Sequence, residues 1–297
     1  MGRNKILLME VIFTRRGNLL ILSIEQLKMT ATVLRKRILS TAYYKKQGHV
    51  GGSLSCADIL VSLYFHHLSI DPSNPKWEDR DRFVLSKGHT ALGLYAVLAL
   101  RGFITEEELK TFDQYESRLQ AHPDMTKLNA LDMSTGSLGQ GLSAAVGMAI
   151  GAKRLKKDFR VYCLIGDGES QEGQIWEAAN IAEKYKLDNL IVIMDQNGLQ
   201  QYGWKNGNER MKPESNGRRK FDGFGFETWE VDGHSMEDLV TLLTEVKSRG
   251  NGQPKAIIAN TTKGKGVRFM ENNYVWHSKA PNDEEYATAL TELEEGI

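Results

Sequence analysis

The stretch GDGESQEGQIWEAANIAEKYKLDNLIVIMDQN, from Gly166 to Asn197, constrains the fold more than any other part of the chain. An apolar run, Arg160–Ile165, leads into Gly-Asp-Gly. Residues Glu172–Tyr185 carry apolar residues at helical spacing, and a second apolar run, Asn189–Met194, ends just before an Asn. A strand, a helix and a strand in so short a span form a crossover unit, and strands joined in this way lie parallel. A run as apolar as LIVIM suits a strand buried on both faces.

The rest of the chain alternates in the same manner. Helical patterns are read at Ile24–Lys46, Cys56–His67 (with Ser55 as its cap), Ala91–Arg101, Glu106–Tyr115, Leu138–Leu155 and from Met236 onward. Short apolar strands are read at Phe83–Leu85, Phe226–Val231 and Ala256–Ala259. This predicts an α/β fold, a mostly parallel sheet with helices on both faces. No internal repeat, low-complexity tract or composition shift divides the chain. QGHVGGSLS reads as a break between helices, and Trp204–Lys220, rich in Gly, Asn and charge, reads as a long surface loop.

Composition excludes several function classes. The 297 residues carry 38 Lys plus Arg and 38 Asp plus Glu, so net charge makes no case for nucleic acid or an anionic membrane as partner. No stretch approaches the roughly 18 apolar residues of a membrane span. Cys56 and Cys163 are the two cysteines; they form neither a disulfide framework nor a zinc cluster, which points to a reducing cytoplasm. Residues 1–23 are read as an extension of unclear role, because Glu10 and Arg15-Arg16 interrupt the apolar runs and no small-residue cleavage site follows.

In an open parallel sheet, ligands bind beyond the carboxyl ends of the strands. Asp167 follows one strand and Asn197 the next, so their loops can face one crevice. A carboxylate, an amide oxygen and a backbone carbonyl are hard donors of the kind Mg²⁺ or Ca²⁺ takes, and Mg²⁺ is commonly shared with substrate phosphates. Gly166 and Gly168 permit a sharp turn beside a diphosphate. The helix that begins near Gly139-Gln140-Gly141 also reads as a dinucleotide fingerprint, with Ala144 as its last position. That reading is weak, because the preceding LNALDMS is short and polar and makes no strand. His234 precedes the capping pattern Ser235-x-x-Asp238 and is read as structural, as are His66 and His67 in mid-helix. Lys263 and Lys265, in TTKGKG, read as an exposed basic loop, with phosphate contact as the alternative.

Gly-Asp-Gly, a helix and then Asn is the cofactor motif of thiamine-diphosphate enzymes, which this stretch resembles. Further segments resemble the transketolase family in order and spacing: GHVGGSLSCADIL, DRDRFVLSKGHTALGLYA, AHPD, TGSLGQGLSAAVGMAIG, VDGH and WHSKAPN, over about Leu27 to Pro281. The resemblance implies a thiamine-diphosphate-binding fold for residues 24–281, followed by an acidic tail at 282–297. It implies metal ligation by Asp167, Asn197 and the carbonyl of Leu199. Cofactor contacts are implied for His89, Gly136, Ser137, Leu138, Asp167, Gly168, Glu172, Asn197 and His277. Glu172, with Glu177 after it, lies on the helix following the motif, where the family makes a subunit contact.

His49, His89, His122 and His277 fall on the family's active-site positions. His49 and His277 would polarise the donor's oxygens; His89 and His122 would lie near the reactive carbon and the sugar. Near-neutral imidazoles suit proton transfer at hydroxyls. The chemistry implied is transfer of a two-carbon ketol unit from a ketose (phosphate) to an aldose (phosphate). Single-chain members of the family are much longer, so the resemblance is to the diphosphate-binding subunit of a split enzyme, active only with a pyrimidine-binding C-terminal subunit in an α₂β₂ assembly. Two alternatives stand beside it: a subunit of another thiamine-diphosphate enzyme (deoxyxylulose-phosphate synthase-like or 2-oxo-acid decarboxylating), or a partner that binds cofactor without catalysis. DRDRFVLSKGH and WHSKAPN favour transketolase.

Overall fold

The computed structural model describes residues 22–201 and 216–296. A capping box between Ser23 and Gln26 starts α1 (Ile24–Lys45), and Lys46, in the left-handed conformation, ends it. Two short helices follow, α2 (Val50–Ser55) and α3 (Ala57–Ser62), the latter running into a widened π turn, Leu63–His67. Then come β1 (Arg82–Leu85), α4 (Ala91–Arg101), α5 (Glu106–Leu109), α6 (Gln140–Arg154) and β2 (Val161–Gly166). The chain continues through α7 (Gly173–Lys184), β3 (Leu190–Gln196), α8 (Gly217–Gly223), β4 (Glu227–Asp232), α9 (Met236–Ser248), β5 (Lys255–Asn260) and α10 (Asp283–Glu295).

The five strands make one sheet, in the order β1-β2-β3-β5-β4, with every pair parallel. Side chains alternate between two cores, as the two-residue period of a strand requires. Tyr162, Leu164, Ile191, Ile193 and Ile257 point to one face, where α1, α3, α4 and α9 cover them. Cys163, Ile165, Val192, Met194 and Ile258 point to the other, against α6, α7 and α8. The sheet is therefore covered on both sides, as the alternation predicted. No helix among the described residues is long and apolar enough to cross a membrane.

Most boundaries fall within two residues of the expectation, which is the usual scatter of helix and strand ends. Three differ for physical reasons. QGHVGGSLS does end α1, with Gly48 at a φ of +123° in the break, but the break is shorter than read: Gly51 and Gly52 are buried inside α2, which begins at Val50. A Cβ on Gly51 would stand 2.9 Å from the carbonyl oxygen of Trp276, so glycine here serves close backbone approach. Ser55 caps nothing. Its hydroxyl donates to Asp195 at 2.6 Å and lies 3.0 Å from the Gly52 carbonyl. The helix expected over 106–115 stops at Leu109, because Asp113 turns left-handed and its N–H bonds the carbonyl of Leu119 at 2.7 Å.

The loop read over 204–220 lies outside the described residues up to 215. From Gly217 it is helix, anchored by buried Phe221. At the far end, the acidic residues 283–295 form α10, which lies on α1. Tyr286 stacks on Tyr43 with centroids 4.2 Å apart, and Ala289 and Leu293 are buried. Any reading of residues 1–21 lies outside the described part of the chain.

Candidate active site

The carboxyl ends of β1, β2, β3 and β5 meet at one cavity of about 440 Å³. At the end of β2, Asp167 is 5% exposed. Its two carboxylate oxygens accept from the N–H of Gly168 at 2.8 Å and of Gly198 at 2.6 Å. The second bond ties the loop after β2 to the loop after β3. Burial first, and then the neighbouring Asp195, push the Asp167 carboxyl up to about 6; the two N–H donors oppose that shift without cancelling it. No Lys or Arg among the described residues forms an ion pair with it.

Asn197 follows β3. Its amide nitrogen donates to Asp195 at 3.2 Å, which fixes the amide's orientation; its oxygen accepts the N–H of Leu199 at 3.1 Å and keeps a second lone pair. Asp195 itself is wholly buried and saturated. Lys87, Ser55 and Thr261 all donate to it. Burial opposes ionisation of Asp195, yet the ammonium of Lys87 holds its carboxyl below the usual range; burial likewise opposes charge on Lys87, and Asp195 overcomes it and raises the ammonium's value.

Glu169 is a third buried acid. It accepts from Ser86 Oγ at 2.5 Å, Gly139 N at 2.9 Å and Gly166 N at 3.0 Å. One carboxylate thereby joins the end of β1, the glycine loop before α6 and the end of β2. Burial raises its value, and these three donors pull the other way.

The four histidines named from the sequence gather at the same cavity. His49 immediately precedes α2, His89 sits in the turn after β1, and His277 ends the turn Tyr274–His277. The ring of His49 lies 5.2 Å from His89, 6.2 Å from His122 and 5.2 Å from His277, and His89 stacks on His277 at 5.0 Å. Burial, with His122 and Lys263 adding to it, lowers His49 to about 4. Burial and Lys263 lower His277 to about 3. His89 falls well below the ordinary imidazole value through burial and the charge of Lys87. These three rings are neutral at neutral pH.

Gly136, Leu138, Gly168, Glu172, Asn197 and Leu199 also line the cavity. A Cβ on Gly136, whose φ is +157°, would press to 3.1 Å from the His122 ring. Ser137 sits on the same turn but is exposed and does not line the cavity, and Glu177 is exposed on α7. No strand precedes the Gly139 turn, so the dinucleotide reading has no structural support.

Lys263 corrects the reading of TTKGKG as an exposed loop. It is 2% exposed, lines the cavity, and donates from Nζ to Nδ1 of His277 at 2.8 Å. Burial lowers its ammonium to about 8, and Asp167 opposes that. Lys265 is half-buried and lies 4.0 Å from Glu271. Sequence reasoning passed over Lys87, Asp195 and Glu169. The available signal was a charged residue embedded in or directly after an apolar strand run, in FVLSK and LIVIMD, since such a residue is almost never buried unless paired.

An acid and an amide on neighbouring strand ends, beside a cavity of about 440 Å³ lined by four histidines, define a cofactor-binding α/β domain. The family described as "Transketolase, thiamine diphosphate binding domain" matches residues 28–294. The chain belongs to the transketolase family. It is 41% identical over 276 residues to one of the subunits of the apulose-4-phosphate transketolase of Phocaeicola vulgatus, covering 93% of this chain and 96% of that protein. It is 42% identical over 257 residues to human transketolase, covering 86% of this chain but 40% of that one. Among solved structures, the transketolase of Campylobacter jejuni superposes with a TM-score of 0.85 at 34% identity, covering 92% of this chain and 43% of that. The chain thus spans about two-fifths of the single-chain relatives and nearly the whole of a relative named as one subunit of its enzyme.

Proposed function

We propose that this chain is the diphosphate-binding subunit of a two-subunit transketolase, moving a two-carbon ketol unit from a ketose phosphate to an aldose phosphate. The observation that carries the reading is one cavity shared by Asp167, Asn197 and four clustered histidines. Thiamine diphosphate, when bound, supplies the thiazolium that stabilises a developing carbanion.

The residues fit that group. Asp167 is a buried carboxylate, raised by burial and by Asp195 and only partly relieved by two N–H donors and the charge of Lys263, so a divalent ion there is favourable. Among the described residues no three acids, cysteines or histidines gather in a metal-binding group. Asp167, the Asn197 oxygen and the Leu199 carbonyl would hold Mg²⁺ (or Ca²⁺) beside the diphosphate. Gly136, Leu138, Gly168 and Glu172 line the same space, and Ser137 completes their turn.

The histidines handle protons. Lys263 donates to Nδ1 of His277, so the neutral ring carries its proton on Nε2 and can give a hydrogen bond to a donor sugar's oxygen. His49, held among the other three rings, is the matching acceptor or donor at the sugar carbonyl and hydroxyls; His89 and His122 close the space near the reacting carbon. Residues 24–281 form the catalytic domain of this reading, with 1–23 an extension and 282–297 an acidic tail. The missing contribution is a pyrimidine-binding subunit, most simply in an α₂β₂ assembly in the cytoplasm. The full chain alone is expected to show no ketol transfer, and to gain it on mixing with a pyrimidine-binding transketolase subunit, Mg²⁺ and thiamine diphosphate. Full turnover by the chain with a partner excluded by mass spectrometry contradicts the two-subunit reading.

A further inference from the structure

We propose that His234 is a positioning residue that sets the place of Lys263, and through it the proton-bearing nitrogen of His277. His234 lies in the VDGH turn between β4 and α9, apart from the cavity lining. Its Nε2 stands 2.8 Å from the backbone nitrogen of Thr262, the residue before Lys263. A backbone N–H can only donate, so Nε2 is the acceptor and the ring's proton sits on Nδ1. Nδ1 in turn faces Oδ2 of Asp58 at 2.8 Å. Asp58 is buried in α3 and takes a two-pronged contact from Arg35 of α1, at 3.1 and 2.5 Å. The pairing of Arg35 and Asp58 keeps the acid ionised, and an ionised acid can only accept, which permits one tautomer of His234.

A chain of directed hydrogen bonds therefore runs Arg35, Asp58, His234, Thr262 N–H. The segment it grips carries Lys263, whose Nζ donates to His277 Nδ1 at 2.8 Å. Neighbouring contacts hold the same segment: Thr261 N to Gln196 O at 3.1 Å, Gly264 N to Gly51 O at 3.0 Å, and Asn272 N to Lys263 O at 2.9 Å. Of the bonds that hold the backbone N–H groups of 261–264, the Thr262 bond is the one accepted by a side chain, and the Thr261 hydroxyl adds a side-chain tie to Asp195. The significance for turnover rests on reading the cavity as the ketol-transfer site; the hydrogen-bond chain itself does not.

The test separates the two ends of the imidazole. The amide of Asn overlays Nδ1, so His234→Asn keeps the donor to Asp58 and loses the acceptor for Thr262. The amide of Gln overlays Nε2, so His234→Gln keeps the acceptor. Nitrogen-15 spectra of histidine-labelled full chain report the tautomer of each ring, with His277 assigned from a His277→Gln sample. In the unaltered chain at neutral pH, His234 is expected as the Nδ1–H form and His277 as the Nε2–H form. In His234→Asn the ratio of Nε2–H to Nδ1–H at His277 is expected to fall roughly fivefold or more, the scale of one ordinary hydrogen bond. In His234→Gln it is expected to stay as in the unaltered chain. An Nε2–H or doubly protonated His234 in the unaltered chain overturns the proposal without any variant. So does an unchanged His277 in His234→Asn, or a change in Gln but not in Asn. None of these spectra depends on catalysis, so failure of the ketol-transfer reading would leave them intact.

Discussion

Asp195 and Asp167 stand on neighbouring strand ends, with Gly166 paired to Asp195 in the sheet and the Asp167 N–H bonded to the Asp195 carbonyl at 3.3 Å. Both are buried, yet they are treated in opposite ways. Asp195 has an ammonium, two hydroxyls and an amide around its carboxylate, and stays ionised below the usual range. Asp167 has two backbone N–H groups, and its carboxyl is held up near 6. A buried charge with its partners built in belongs to the scaffold. A buried charge left short of positive charge is poised for a ligand that brings it. The cavity therefore has a structural floor, Asp195 and Lys87, and a functional rim, Asp167 and Asn197 with the histidines above.

The sharpest contrast is expected between the rim's histidines and the floor. His49→Ala and His277→Ala are each expected to reduce turnover of the reconstituted enzyme by about 10²–10⁴, the scale of positioned acid–base groups, with cofactor affinity intact in His49→Ala and weakened far less than turnover in His277→Ala. Steady-state kinetics beside calorimetry reads both quantities, and near-normal turnover in either variant would place the donor sugar elsewhere. Asp195→Ala leaves Lys87 buried without its partner. It is expected to cost about 3–5 kcal/mol of stability, the usual penalty for breaking a buried pair, seen as a lower urea midpoint. A change under about 1 kcal/mol would mean the floor is not a load on folding and the comparison fails.

Asp167→Ala should do the reverse, sparing the fold while weakening Mg²⁺-dependent thiamine diphosphate binding by about 10²-fold or more, measured by calorimetry on the reconstituted complex. Unchanged affinity would remove Asp167 from the anchor. The smallest effect has the most informative sign. The folded value of Asp167, about 6, lies above the ordinary value near 3.8, so folding takes up a proton between those two pH values. Its contribution is fully favourable below about pH 4, is lost as pH rises to about 6, and stays lost above. Asp167→Asn in the cofactor-free chain is therefore expected to gain on the order of 1–3 kcal/mol at neutral pH, with the gain vanishing toward about pH 4. Thermal melts across that range check it, and a variant less stable than the parent at neutral pH contradicts it.

What the sequence made legible follows from the strength of its local signals. The β2–α7–β3 unit was readable because apolar runs, a helical period and the glycines beside Asp167 agree with one another. The start of α2 was not, because Gly51 and Gly52 carry the usual signature of a break, while their reason for being there, contact with Trp276 and Thr90, is tertiary. The burial of Lys263 was hidden for a similar cause. A lysine in a glycine-containing basic stretch reads as solvated, and only the approach of His277 and of the α2 backbone makes that segment an inner wall. Asp195 and Lys87 look like strand ends in the sequence, and their pairing spans 108 positions that no local pattern connects. The four histidines could be named from the resemblance to transketolases. Their mutual distances, and the neutrality that burial imposes on three of them, needed the fold.

The most direct test of the anchor is the titration of the Asp167 carboxyl itself. Carbon-13 spectra of the full chain, labelled at aspartate and assigned with Asp167→Asn, follow that group alone. Without ligand its midpoint is expected near about 6. With saturating Mg²⁺ and thiamine diphosphate it is expected to drop below about 4, because the cation supplies the positive charge the protein withholds. A midpoint near about 4 in the free chain, or one that stays near about 6 when both are bound, would contradict the account.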